Sequence, residues 1–381
     1  MRFGQETQQG RYVTECKRCI CDDTLPDITF NDGVCSYCDI HDSMEQMYPI
    51  SQTDLESVVN DIKLAGRNKP FDAVVGISGG KDSSYLLHLA NELGLNVIAV
   101  HYDNGWDKPV SKDNIKIMTD ALEIPLINYR VNQNEVDDLI KSFLFSHTQD
   151  VEAATDLGLV KCMFDVACQY GIKYILDGHS FRTEGIAPIG WSYMDGRYIK
   201  SVHKKMGTVP LRTYPMLTLI DQLWYGLKGI KRPRLLYHVE YIPEKVIELL
   251  ETKYGWKQYG GHHLENYFTA FFGCCYRLKK LGYDGRKIEL SALIRSGNIT
   301  RQEAIEQRLS KYDEEQIVRT VMDRLNISPV TFLSLMDKNI KKTHKDWPNY
   351  SKYFRVLKPI FWSMMKAGKI PNSFYIKYCN N

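Results

Sequence analysis

Asp72-Ala73-Val74-Val75-Gly76-Ile77-Ser78-Gly79-Gly80-Lys81-Asp82-Ser83-Ser84-Tyr85-Leu86-Leu87-His88-Leu89-Ala90 is the stretch that decides the fold. Its first six residues read as a buried strand and its last seven as a helix, with a glycine-rich turn between them. Such a turn aims backbone N–H groups and the positive end of a helix at one point, where phosphate is the natural occupant. Two adjacent glycines let the backbone approach without Cβ clashes. Lys81 adds a positive charge, Ser78 and Ser83 add hydroxyls, and Asp82 offers a hard oxygen for Mg²⁺. The run lacks the four residues that a P-loop places between its first glycine and its Gly-Lys-Ser/Thr.

Working outward, short apolar runs recur at 72–78, Asn96 to Asp103, Leu126 to Val131 and Tyr174 to Asp177. Amphipathic stretches at 83–93, 111–122, 134–145 and 161–170 lie between or before them. This alternation predicts an α/β fold with a doubly wound parallel sheet. Ligands bind such sheets outside the carboxyl ends of the strands, so Ser78, Asp103 and Asp177 mark where a phosphate-bearing ligand should lie.

Residues 1–50 are polar and carry Cys16-x2-Cys19 and Cys35-x2-Cys38, the spacing of a zinc ribbon. Four thiolates satisfy tetrahedral Zn²⁺ and leave no open position, which predicts a structural site. Cys21 reads as a spare thiol. The sequence therefore divides into a zinc-ribbon segment at 1–50, a nucleotide domain at 51–240 and a mainly helical region at 241–381. Pro243 opens one helix of that last region, and Thr300 with Glu303 forms a capping box for another.

The chain has 381 residues and a formal net charge of +3, which argues against a dedicated nucleic-acid binder. The basic run from Lys228 to Arg234 reads as a solvated connector. The polar Met1–Gly10 segment has no apolar signal core, and no stretch approaches the ~20 apolar residues of a membrane span. A cytoplasmic protein without disulfides is expected.

The Ser78–Ser83 run resembles the SGGxDS motif of the PP-loop ATP pyrophosphatases (HUP-like), which cleave ATP between the α- and β-phosphates. Three further runs narrow the likeness: His101-Tyr102-Asp103-Asn104-Gly105-Trp106, Leu176–Gly185, and Tyr259-Gly260-Gly261-His262-His263-Leu264-Glu265-Asn266. With the two CxxC pairs they resemble the N-acetyl sugar amidotransferases of the WbpG/PseA type, from about Cys16 to about Arg308. That resemblance implies conversion of a sugar acetamido group into an acetamidino group with ATP and ammonia. Such sugars occur in bacterial surface polysaccharides, O-antigens and flagellin glycans.

The likeness assigns expected roles. Ser78, Gly79, Gly80, Lys81, Asp82 and Ser83 hold the β- and γ-phosphates with Mg²⁺. Asp103 lies near the nucleoside, and Asp177 with Gly178 near the phosphates. Lys81, Asp82 and Glu184 form the expected catalytic set. Arg182, Glu184, His262, His263 and Glu265 are expected to bind the sugar. His-His-x-Glu lacks the helical i, i+4 spacing of a metal pair. Two features depart from the family pattern: Cys162 and Cys168 are widely spaced where relatives have Cys-x2-Cys, and Gly178-His179-Ser180 replaces a Gly-Glu-Asn run.

The sequence carries no glutaminase signature, since Arg2 stands where an N-terminal cysteine nucleophile would begin. A separate glutaminase subunit, with a cyclase-like companion, is the expected ammonia source. The ribbon is a plausible docking surface for it. A PP-loop tRNA sulfurtransferase and a non-catalytic ATP-binding scaffold are the rival readings.

Overall fold

The computed structural model describes residues 13–186, 193–261, 263–309, 313–370 and 372–379. At the N-terminus, β1 (Phe30–Asn31) and β2 (Val34–Cys35) form an antiparallel hairpin. Its turn residues, Asp32 and Gly33, both have positive φ, as an Asp-Gly hairpin turn requires. Then come α1 (Ser36–Met47) and α2 (Gln52–Gly66). Ser51 caps α2 by accepting the Asp54 N–H.

The central sheet holds β3 (Ala73–Gly76), β4 (Val97–Asp103), β5 (Leu126–Arg130) and β6 (Ile175–Leu176) in the order β5-β4-β3-β6, with every pairing parallel. The crossovers are α3 (Lys81–Glu92), α4 (Pro109–Ala121), and the pair α5 (Gln133–Phe145) and α6 (Ala153–Gln169). The order reverses beside β3, so the ends of β3 and β6 flank a switch-point crevice. Strand alternation splits the core. Val74, Ile98 and Val100 pack with α5 and α6 on one face, while Ala73, Val75 and Ala99 pack with α2, α3 and α4 on the other.

Strand boundaries read from the sequence hold to within a residue or two, and α6 begins eight residues before the expected 161. The sheet is followed by α7 (Gly196–Met206), α8 (Leu219–Lys228), α9 (Pro243–Tyr254) and α10 (Tyr267–Phe271). A π-helix (Phe272–Leu281) continues α10. Then come α11 (Arg286–Arg295), α12 (Arg301–Leu309), α13 (Glu314–Leu325), α14 (Pro329–Leu335), α15 (Ser351–Val356), α16 (Lys358–Lys366) and α17 (Asn372–Cys379). The expected helical C-terminal region is therefore present, with Pro243 in the first turn of α9 and the Thr300–Glu303 box in place. Val246 and Leu250 of α9 share the core of α2 and α3, so that core continues past residue 240.

The N-terminal segment is also built into the rest of the chain. Lys287 pairs with Asp22, Ser291 Oγ accepts from the Ile20 N–H, and Arg301 donates to the carbonyls of Cys16 and Cys19. Tyr283 and Ile288 complete the small core around its cysteines. No helix among the described residues is long and apolar enough to cross a membrane.

Candidate active site

The loop after β3 is held open by its neighbours. Ser78 and Ser83 share a hydroxyl hydrogen bond of 3.1 Å, and the Ser83 hydroxyl also accepts the Ser78 N–H at 3.2 Å. Gly79 sits at φ +79°. Its carbonyl accepts from Asn114 Nδ2 at 3.2 Å and from the Trp256 indole at 3.1 Å. These two side chains fix the turn from outside and leave the α3 N-terminus facing the crevice. There the Tyr259 hydroxyl accepts the Lys81 N–H at 3.2 Å, the position an anionic oxygen would take.

Lys81 Nζ pairs with Asp82 at 2.6 Å, and the Tyr241 hydroxyl donates to the same carboxylate. Burial pushes the pKa of both Tyr241 and Tyr259 well above the phenolic range, so each stays a neutral hydroxyl. Gly178 lies against the loop. A Cβ there would come within 2.8 Å of the Asp82 carbonyl carbon and the Ser83 nitrogen.

Asp177 is at the end of β6, clamped by Arg232 at 2.9 Å and by Arg234. The basic run is thus not a solvated connector: two of its arginines brace the strand end beside the loop. Burial lowers the pKa of both guanidinium groups.

Glu184 lies 3.8 Å from His179 Nε2, and His179 Nδ1 is 3.0 Å from the Tyr237 hydroxyl. The Glu184 charge also acts on Tyr241, which places it on the loop side of the crevice. Glu265 reaches the loop: its Oε1 is 3.2 Å from where a Gly80 Cβ would stand, and its carbonyl accepts from the Lys108 N–H at 2.9 Å. His263 Nδ1 is 3.9 Å from Glu265. His262 lies outside the described residues.

Arg182 departs from its expected role. It is 4% exposed and gives its N–H groups to both Glu45 oxygens and to the carbonyls of Tyr48 and Tyr237, at 2.6–2.7 Å. Four of the five guanidinium donors are thereby committed, three to α1 and its following turn and one to the Tyr237 carbonyl, which leaves the side chain a brace rather than a sugar anchor.

Asp103 is buried at the end of β4. Burial opposes its ionisation, but Arg130 at 3.1 Å, the Lys112 charge and the Gly105 N–H together hold its pKa below the usual carboxylate range.

Two further acids stand at the start of α6. Burial raises the pKa of Glu152, at the start of α6, against the charges of Arg277 and His263. Asp156, one turn on, is raised to about 7 by burial and by the Glu152 charge. Lys377 of α17 faces Asp150 and Asp156 and also lines a cavity of about 1110 Å³ with Tyr193, Arg197, His344 and Trp347.

The four expected ligand cysteines do converge. Their sulfurs lie 3.6 to 3.9 Å apart across the Cys16–Cys38, Cys19–Cys35, Cys35–Cys38 and Cys19–Cys38 pairs. Tetrahedral zinc with bonds of about 2.3 Å sets its sulfurs about 3.8 Å apart, so the cluster fits that ion. Arg295 Nη1 lies 3.7 Å from Cys19 Sγ, a cation beside the thiolates. Cys21 stays outside the cluster, bonded to Ser291 Oγ at 3.2 Å. The neighbouring Cys19, with burial, raises its pKa to about 12.

Sequence reading passed over Tyr241 and Trp256, and took Arg232 and Arg234 for solvated residues. Tyr259 stood in plain sight at the head of its Gly-Gly run.

Two family profiles match the chain. Residues 72–158 match the phosphoadenosine phosphosulfate reductase domain, which carries the loop, and 265–365 match the LPS biosynthesis protein WbpG-like, C-terminal domain. The sheet, the Ser78–Ser83 loop and the first match define a PP-loop protein. The second match likens residues 265–365 to the C-terminal domain of the WbpG-like LPS biosynthesis proteins. An uncharacterized protein of Methanocaldococcus jannaschii, MJ1016, is 29% identical over 144 residues, covering 36% of this chain. The chain spans 46% of that relative's length. Among solved structures, the NMN synthetase of Francisella tularensis is 14% identical, with a TM-score of 0.33 over 73% of this chain and 93% of its own. The NH3-dependent NAD synthetase of Campylobacter jejuni is also 14% identical, with a TM-score of 0.30 over 68% and 98%.

Proposed function

We propose that this chain is an ATP-dependent amidotransferase acting on an N-acetylated sugar in bacterial surface-polysaccharide or flagellin-glycan synthesis. The supporting observation is a junction: Glu265, the first residue of the WbpG-like match, stands against Gly80 of the PP-loop. A domain linked to lipopolysaccharide synthesis thus contributes a carboxylate to the ATP-cleaving loop.

The chemistry follows from the substrate. An amide carbonyl is a poor electrophile, and its oxygen is a poor leaving group. Attack of that oxygen on the α-phosphorus of ATP expels pyrophosphate and leaves an O-adenylated imidate, with the amide proton lost. Ammonia then adds at carbon, and AMP departs with the former carbonyl oxygen. The product is the acetamidino sugar.

The α3 N-terminus, Ser78, Ser83 and Lys81 receive the departing pyrophosphate. Asp82 is the group placed to hold Mg²⁺, which would offset phosphate charge. Asp177 and Gly178 border the phosphates, and Asp103 borders the nucleoside side. We assign Glu184 and Glu265 to take the proton released after ammonia attacks, and His263 to the sugar side, the role also expected of His262. Zinc at the cysteine cluster is structural. Ammonia comes from a separate glutaminase subunit with a cyclase-like companion, and the enzyme works in the cytoplasm.

RNA thiolation would need an accessible thiolate near the loop. Cys162 is fully buried, and burial raises its pKa, which disfavours thiolate formation.

The test is ATP turnover with ammonia and a panel of N-acetylated sugars, resolving AMP from ADP. Sugar-dependent AMP and pyrophosphate, with a product one mass unit lighter than the sugar, are expected. ADP release, or AMP release only with tRNA and a sulfur donor, would sink the proposal. ATP binding without any turnover would favour a scaffold.

A further inference from the structure

At the carboxyl end of β4, His101, Asp103 and Asp107 converge, their nearest ligand atoms all within 4.8 Å of one another. The pair His101–Asp107 is the unusual part. His101 Nδ1 sits 3.1 Å from the Ile77 carbonyl. A carbonyl can only accept, so Nδ1 carries the hydrogen, and in the neutral ring Nε2 presents a bare lone pair. That lone pair faces Asp107 Oδ2 at 3.2 Å. Both side chains are more than nine-tenths buried, at 7% and 6% exposed, and neither atom has a hydrogen-bond partner. Two acceptors pressed together in a buried site repel each other unless something positive lies between them, either a proton on Nε2 or a metal ion.

We propose that His101, Asp103 and Asp107 form a divalent-cation site distinct from the cysteine cluster and from the phosphate loop. The spacing suits an ion. Adjacent ligands about 2.1 Å from an octahedral cation stand about 3 Å apart, close to the Nε2–Oδ2 separation. One imidazole and two carboxylates suit Mn²⁺ or a similar borderline cation rather than a thiophilic one. Each Asp103 oxygen keeps acceptor capacity after bonding Arg130 and the Gly105 N–H.

The site also has a structural consequence. Asp107 Oδ1 accepts from Asn266 Nδ2 at 3.2 Å, and the next residue, Lys108, donates its N–H to the Glu265 carbonyl. His101 is bonded to the residue just before Ser78. A cation here ties the phosphate loop, the β4–α4 loop and the start of the WbpG-like domain into one unit.

Two variants separate this site from its rivals. His101→Asn keeps a donor for the Ile77 carbonyl but removes Nε2. Asp107→Asn replaces the repelling oxygen with an amide that can donate to Nε2, so it should fold without an ion. The probe is Mn²⁺, followed by electron paramagnetic resonance and thermal unfolding on zinc-loaded, nucleotide-free full-length protein. One bound Mn²⁺ per wild-type chain is expected at sub-millimolar metal, with a rise in melting temperature. Binding should fall at least about tenfold in both variants, and the thermal shift should vanish. Asp82→Asn should keep both signals. No Mn²⁺ bound to the wild type, equal binding in His101→Asn and Asp107→Asn, or loss only in Asp82→Asn would each overturn the proposal.

Discussion

Gly79 adopts φ +79°, where any other L-residue is strained, and a Cβ added there would stand 2.8 Å from the Ser111 carbonyl carbon. The strain alone is worth ~2 kcal/mol, and α4 cannot retreat without breaking the Asn114 bond to the same glycine. Gly79→Ala should therefore lower the melting temperature and drop ATP-dependent pyrophosphate release to background. Near-normal turnover in that variant would show that the loop tolerates another path. Arg182 makes a contrasting case. Truncating it leaves Glu45 and two carbonyls unpaired, at about 3 kcal/mol. Arg182→Lys should lose stability while keeping the KM for sugar. An unchanged melting temperature with a raised KM would return Arg182 to the substrate. The loop was legible in the sequence because a Gly-Gly turn between strand and helix has one physical use. The fate of Arg182 was not, because its partners lie 55 to 137 residues away.

Among the elements, the strands were readable because each is a short apolar run that the sheet buries on one or both faces. β6 shrinks to two residues because Asp177, at its expected end, turns away to meet Arg232 and Arg234. The early start of α6 was hidden by the polar Glu152, Thr155 and Asp156 at its head. The ribbon's independence was an inference from composition, and tertiary contacts override it. Its cysteine loops are bonded by Ser291, Lys287 and Arg301 of α11 and α12. Removing the ion with a chelator should thus loosen more than residues 13–50. Hydrogen exchange should rise across α11 and α12 as well, and the melting temperature should fall. Exchange confined to the ribbon would show that those contacts carry little energy.

For the molecule as a whole, the acids flanking the start of α6, which neighbouring protein crowds although Asp156 keeps solvent contact, set the response to pH. Asp150 and Asp156 are raised from the usual 3.8 to about 7, both chiefly by burial. The folded chain therefore binds protons that the unfolded chain has released. Their contribution is fully present below about pH 4 and is lost as pH rises through about 7. Asp103 and Asp138 act the other way. Burial resists their ionisation, yet the Arg130 contact of Asp103 and the Thr208 hydrogen bonds of Asp138 hold their pKa below normal, so their contribution is lost in acid. The stability curve should peak in mild acid and decline toward pH 8. Asp156→Asn removes one titrating carboxylate without changing its size. It should match the wild type near pH 5 and melt a few degrees higher at pH 8. The same difference at both pH values would mean that the side chain matters through packing and not through its charge.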